Sequence, residues 1–289
     1  MNQHLKIGGV PEHFNLPWQL ALERNIFDYT RINVDWSFYA GGTGAMTNAL
    51  ARGDLDLAIL LTEGFISAVH QGLEAKVVKV YIDSPLVWGI HTGVQSGVDN
   101  AAQAADARYA ISRFGSGSHL MAMIHAEQFG RQLKGNDFEV INSLHGAIDS
   151  LEKNETQLFY WERFMTRPFV KEGRVRHIGN FSAPWSGFLI VASENAINKK
   201  RDEIRQVLHI MNEECVHFKT NTLSIAQLTR RFDMDIMEAR NWLNETIWNN
   251  GWEAPLEQMV NARNALTKIG ACEKSLRVEQ LCADWIQLV

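Results

Sequence analysis

The segments best equipped for chemistry lie where an extended run gives way to a helical one. Ile111-Ser112-Arg113-Phe114-Gly115-Ser116-Gly117-Ser118-His119 ends a strand-like run in a Gly/Ser turn, and a helical pattern starts near Ser118. Glycine lets a backbone come close to a ligand, and the unbonded N–H groups of a first helical turn attract an oxyanion or a carbonyl. Ser116 and Ser118 add hydroxyls, Gly117 permits close approach, and His119 brings a ring N–H to the helix start. The same turn also reads as a self-contained N-cap. The number of donors at one helix start favours ligand binding. Tyr39-Ala40-Gly41-Gly42-Thr43-Gly44 is a second turn of this kind, with Gly42, Thr43 and Gly44 as candidate contacts. Neither turn has the GxxxxGK[ST] spacing of a phosphate-binding loop, nor the GxGxxG and acidic residue of a dinucleotide site.

Carboxylates and aromatics stand at other strand ends. Glu63 follows Leu60-Leu61-Thr62, where it can meet an amine or ring N–H of a ligand or cap its own helix. Trp161 and Glu162 stand where another strand gives way to a helix, the one a stacking face and the other a charge. A core aromatic beside a surface salt bridge is the structural reading of that pair. His13 and Asn15 follow the first strand; Ser84 precedes one apolar extended segment and Trp185 precedes another. The ten histidines form no HExxH or HxH and no pairing with a spaced Cys or Asp, so no metal is expected. No GxSxG is present, and no catalytic residue or cofactor is assigned.

The elements that would position these residues alternate. Strands are expected at Leu5–Val10, Val34–Tyr39, Leu57–Leu61, Val77–Ile82, Leu86–His91, Tyr109–Ser112, Phe138–Ile141, Gln157–Tyr160, Val175–Ile178 and Gly187–Val191. Helices are expected near Pro17–Asn25, Ala45–Arg52, Gly64–Gln71, Ser118–Phe129, His145–Lys153 and Glu162–Arg167. This alternation predicts an α/β fold with mostly parallel sheets. After Ser193 the pattern turns almost wholly helical. Ser224 is expected to cap one helix, Asp235 with Glu238 to form a capping box, and Leu276–Leu288 to close the chain as an amphipathic helix.

Length and charge set outer bounds. At 289 residues the chain exceeds the size of one comfortable core, so two lobes are expected. Lys and Arg number 28 against 33 Asp and Glu, a net charge of −5 that disfavours nucleic acid and anionic membranes as partners. Ser224–Leu243 has the spacing of a helix-turn-helix, but acidic residues interrupt its arginines and a packed helical pair is favoured. No apolar run suits membrane insertion. The segment from Met1 to Ile7 shows no export leader, so the sequence reads as cytoplasmic, or periplasmic if a leader precedes Met1. Cys215, Cys272 and Cys282 form no CxxC pair and read as reduced thiols.

In order, Gly8-Gly9-Val10-Pro11, Trp18–Ile26, Gly41-Gly42-Thr43-Gly44 and Leu50-Ala51-Arg52-Gly53-Asp54-Leu55-Asp56-Leu57-Ala58 resemble the solute-binding proteins of nitrate, sulfonate and taurine ABC transporters. Thiamine-pyrimidine binders belong to the same superfamily. The match covers most of residues 5–190, and Gly53-Asp54-x-Asp56 is its most specific element. Ile111–Ala122 and Phe159–Arg167 are more similar to a leaderless subgroup known from bacteria and fungi. The resemblance implies a two-lobed type II periplasmic-binding-protein fold with two crossing hinge strands and a helical C-terminal segment. One lobe would comprise 1–87 and 188–289, the other 88–187. It implies a ligand in the interlobe cleft, met by Thr43-Gly44-Ala45 and by Ser116-Gly117-Ser118, with Glu63 and Trp161 at strand ends that line it.

The expected function is therefore a solute-binding-protein-like module for a small polar or anionic ligand, pyrimidine-like aromatics included. Its partner would be an ABC transporter permease if the protein is exported. The alternative is a leaderless cleft enzyme on the same fold, of the type found in menaquinone- or thiamine-precursor biosynthesis. Glu63, Glu162, His13 or His119 would then act as acid or base.

Overall fold

The computed structural model describes residues 3–104 and 106–289. Met1 and Asn2, which open the segment read for a leader, and Ala105 lie outside the described residues. In chain order the strands are β1 (Gln3–Gly9), β2 (Ile32–Phe38), β3 (Leu57–Leu61), β4 (Ala75–Ile82), β5 (Val87–Gly93), β6 (Tyr109–Ile111), β7 (Phe138–Val140), β8 (Leu158–Glu162), β9 (Val175–Ser182), β10 (Phe188–Ser193), β11 (Glu253–Ala254) and β12 (Gln287–Leu288). The helices are α1 (Leu16–Glu23), α2 (Gly42–Arg52), α3 (Thr62–His70), α4 (Gly117–Gln128), α5 (Leu144–Glu152), α6 (Arg167–Lys171), α7 (Glu194–Thr220), α8 (Ser224–Phe232), α9 (Ile236–Glu245) and α10 (Leu256–Lys268).

The chain divides into two compact units. Unit 1 comprises Met1–Ser84, Trp185–Val260 and Arg277–Val289; unit 2 comprises Pro85–Pro184 and Asn261–Leu276. Asn261–Leu276 thus groups with unit 2, whereas the sequence reading kept all of 188–289 in the other lobe.

The sheet of unit 1 has the order β2-β1-β3-β10-β4. β1 pairs in parallel with β2 and β3, and β10 lies antiparallel to both β3 and β4. The sheet is therefore mixed rather than mostly parallel, because the strand that returns from unit 2 enters from the opposite end. Its central strands are runs of β-branched and large apolar residues, such as Leu57-Ala58-Ile59-Leu60 in β3 and Leu189-Ile190-Val191 in β10, buried on both faces. α7 lays Ile204, Val207, Leu208, Met211, Cys215 and Phe218 inward at helical spacing.

Gly53-Asp54-Leu55-Asp56 is a folding element. Gly53 ends α2 in the left-handed region at φ 76°. Asp56 accepts the Lys6 amide at 2.8 Å and pairs with Lys200 at 2.8 Å, which ties β1 and α7 to the entry of β3.

Unit 2 has the sheet order β7-β6-β8-β5-β9. β6 pairs in parallel with β7 and β8, and β5 runs antiparallel to β8 and β9. Its core gathers Ala110, Ala147, Ile148, Leu151, Phe159 and Val175 between the sheet and α5. Gly93 is required there, since a Cβ at that position would run into the Leu151 carbonyl oxygen.

Three local expectations are corrected. Residues 163–166 form turns, and the helix starts only at Arg167, because Glu162 binds the next amides and closes a turn first. Ser224 does not cap α8: its hydroxyl donates to the Phe218 carbonyl, and Leu223 holds the cap position. Leu276–Leu288 is not an amphipathic helix. A short 3-10 turn at Val278–Leu281 leads into extended chain held along β4, where the Ala283 amide donates to Val77 O at 2.9 Å and the Trp285 ring N–H to Val78 O at 3.3 Å. β4 offers those carbonyls, and that pairing overrides the helical spacing. The capping box of α9 forms as expected, with Asp235 accepting from the Glu238 amide at 2.8 Å and Glu238 from the Asp235 amide at 3.1 Å. Among the described residues no helix is long and apolar enough to cross a membrane.

The core of unit 2 gives a direct test. Ile148 is fully buried in its central cluster. Ile148→Ala should destabilise the protein by about 2–5 kcal/mol, read as a lower denaturant midpoint at unchanged slope. A change below about 0.5 kcal/mol would contradict this packing.

Candidate functional site

In unit 1 the C-terminal ends of β1, β2, β3 and β4 share one sheet edge with the start of β10, since β10 is antiparallel to its neighbours. Open α/β sheets bind ligands at that edge. Glu63 stands there in the first turn of α3 and is only 2% exposed. Its Oε2 accepts the ring N–H of Trp185 at 3.0 Å. Its Oε1 has no hydrogen-bond partner among the described residues. Loss of hydration pushes the carboxyl up to about 7, against the smaller opposing effect of its own backbone amide and the Trp185 N–H.

Thr43 packs against the first turn of α3, which carries Glu63. Its methyl group is against Gly64, where a Cβ would lie only 2.6 Å away, and its hydroxyl oxygen accepts the Leu61 amide at 3.2 Å. The hydroxyl keeps its proton for another acceptor. α2 starts at Gly42, three residues earlier than expected, and Gly42 itself takes the left-handed φ of 63° that turns the chain into the helix. Gly44 therefore lies inside the first turn, where amides have no helical partner. The structure thus brings Gly42, Thr43, Gly44, Glu63 and Trp185 to one place.

The other candidates of unit 1 have structural partners. His13 is buried and stacks on Trp242 at 4.6 Å between centroids. Asn15 donates to Val10 O at 2.9 Å, while its Oδ1 has no partner among the described residues. The Tyr81 hydroxyl donates to Phe14 O at 2.7 Å and holds this turn to β4. Ser84 accepts the Ile247 amide at 3.0 Å.

In unit 2 the Gly/Ser turn is largely self-satisfied. The Ser116 hydroxyl donates to Arg113 O at 2.7 Å and caps α4 by accepting from the His119 amide at 3.4 Å. Ser118 accepts the Ser112 amide at 3.1 Å and lies 3.0 Å from the Ser116 hydroxyl, to which it must donate because the Ser116 proton is already engaged. Both hydroxyl protons are used inside the turn, and what this turn can offer a ligand is backbone N–H from Gly117 onward. His119 Nδ1 accepts the Gly115 amide at 3.0 Å, so its proton sits on Nε2, and burial lowers the ring's pKa to about 4. Glu162 is buried, and its Oε2 accepts the Phe164 and Met165 amides at 2.9 Å each. Trp161 stacks on Phe159 at 5.3 Å and packs against the core cluster.

Two aromatics fall outside the residues selected from the sequence. Phe38 ends β2 and is 54% exposed; Phe114 sits in the Gly/Ser turn and is 55% exposed. Exposure of a large apolar ring at a polar strand end marks them, and a sequence carries no record of exposure. The Glu63–Trp185 contact was equally hidden, since its partners are 122 positions apart.

Residues 88–181 match the family model described as Ca3427-like PBP. Among solved structures, the CA3427 gene product of Candida albicans superposes with a TM-score of 0.87 at 23% identity, covering 99% of this chain and 96% of that one. It is described as exhibiting the generic periplasmic binding protein fold. The chain has the periplasmic-binding-protein fold. The aliphatic sulphonate binding protein SsuA of Escherichia coli matches at 18% identity and TM-score 0.73, over 100% of this chain and 94% of that one. The alkanesulfonate-binding protein SsuA of Xanthomonas axonopodis pv. citri, bound to MOPS, matches at 15% and 0.79, over 97% and 98%. The comparison with curated proteins gives no match. The resemblance read from residues 5–190 is borne out at the level of the fold.

The buried carboxyl predicts a pH signature. In the folded chain Glu63 holds its proton up to about pH 7, against 4.5 for an ordinary glutamate. Between those values the folded state binds more protons than the unfolded state, so this group makes stability fall as pH rises. Glu63→Gln removes that slope. Its stability relative to wild type should grow between pH 4.5 and 7 by on the order of 3 kcal/mol. A difference that stays constant in urea melts across this range would contradict the assignment.

Proposed function

We propose that this protein binds a small polar or anionic ligand, pyrimidine-like aromatics included, with donors drawn from the strand-end loops of unit 1. The observation that carries the reading is the edge of unit 1, where a helix start opened by Gly42 and a Thr43 hydroxyl with a disposable proton lie against the first turn of α3, whose buried Glu63 has no partner at Oε1 among the described residues. Such convergence of polar groups at parallel strand ends is how open α/β sheets meet ligands. The SsuA neighbours are sulfonate binders, which makes sulfonates the first anions to try. In an exported form the protein would deliver its ligand to an ABC transporter permease; in a cytosolic form it would act as a sensor or carrier.

A thermal-shift screen tests this with oxyanions, alkanesulfonates, aminopyrimidines and aromatic carboxylates. A ligand at one hundred times its dissociation constant adds about 2.7 kcal/mol, a midpoint shift of roughly a few degrees. Thr43→Val should abolish the shift while Thr43→Ser retains it, and mass spectrometry should recover the ligand unchanged. Stabilisation that survives Thr43→Val would misplace the site. Consumption of the ligand would favour the enzyme reading.

A further inference from the structure

We propose that Glu63 meets an oxyanion ligand as a neutral carboxylic acid, so that the anion binds together with a proton. The inference rests on the anion-binding reading above and adds the protonation state and its regulation. Trp185 can only donate, so the contact at 3.0 Å makes Glu63 Oε2 an acceptor in either protonation state. The state is therefore decided at Oε1, which is buried and has no partner among the described residues. An ionised Oε1 beside an oxyanion held at the start of α2 would set two like charges together out of water. A protonated Oε1 instead gives the ligand a short O–H donor to a charged acceptor. Thr43, against Gly64 on the adjoining helix, adds a second hydroxyl proton from α2.

The surroundings leave this choice to the ligand. On α3 the other titratable group is His70 in the last turn; on α2 it is Arg52, at the far end and paired with Asp54. β3 and β10 carry none. α10, which reaches this edge through the Ser186–Gln258 hydrogen bond at 3.1 Å, carries Glu257 in its first turn, and Trp185 is uncharged. Burial rather than a neighbouring charge holds the carboxyl near 7, so ligand charge can move it.

The experiment is titration calorimetry with methanesulfonate, nitrate and sulfate, none of which titrates between pH 6 and 8.5. Each is run in two buffers of different ionisation enthalpy. Because the free carboxyl titrates near 7, uptake of about half a proton at pH 7 should rise toward one at higher pH. Affinity should be flat below pH 6 and fall about tenfold per pH unit well above 7. Glu63→Gln should still bind, through its amide N–H, with no proton uptake and no pH slope. Trp185→Phe removes the donor that favours the carboxylate, and should move the slope to higher pH; this carries the test if Glu63→Gln fails to fold. Binding with no proton uptake, equally tight at pH 6 and 8.5, would overturn the inference and leave the anion-binding reading standing. Failure of all three anions to bind at any pH would overturn both.

Discussion

One carboxyl group, taken out of water and held by an indole N–H, organises the strand-end edge of unit 1. Burying Glu63 is unfavourable unless its oxygens are satisfied, and the indole N–H of Trp185 satisfies one of them. That contact also fixes how the chain re-enters the unit. Trp185 leads into Ser186 and Gly187, whose backbone meets Thr62 and Ser84 and starts β10 between β3 and β4. The order of the sheet and the chemistry of its edge thus depend on the same few residues. The packing that excludes water from Glu63 also supplies the proton affinity through which the site would answer to an anion.

Unit 2 solves its strand end differently. The hydroxyls of Ser116 and Ser118 are spent on the turn itself, and Glu162 on two following amides. These groups rigidify the loop and leave backbone N–H as its contribution. The group with adjustable charge stands in unit 1.

Much of the fold was legible because short Val- and Ile-rich runs bounded by Gly, Asp or Ser have few alternatives to strands. All ten expected strands exist within a few residues of their expected bounds. What was misread depended on tertiary pairing. The stretch after Leu276 has helical spacing, yet Val77 and Val78 capture it as extended chain. α2 starts before the point its sequence pattern predicts, because the left-handed Gly42 reads from sequence as a loop residue. A place at a strand end marks Thr43, Glu63 and Trp185 in the sequence, and the fold gathers them in unit 1. The same place marks His13, stacked on Trp242, and Trp161, packed on its own core, because position along a sequence does not show what a side chain leans on. Gly53-Asp54-x-Asp56, the most specific element of the resemblance, proves to tie β1, β3 and α7 together rather than to mark a ligand. A shared fold can be recognised through its ties while its ligand remains a question for the site.

The chemistry of this edge turns on the titration of one group. Carbon-13 NMR of the Glu63 side-chain carboxyl, assigned by comparison with Glu63→Gln, would follow it with and without methanesulfonate. The account predicts a midpoint near 7 in the free protein, moving upward when the anion is present. A midpoint near the ordinary glutamate value of 4.5, unmoved by the anion, would contradict it.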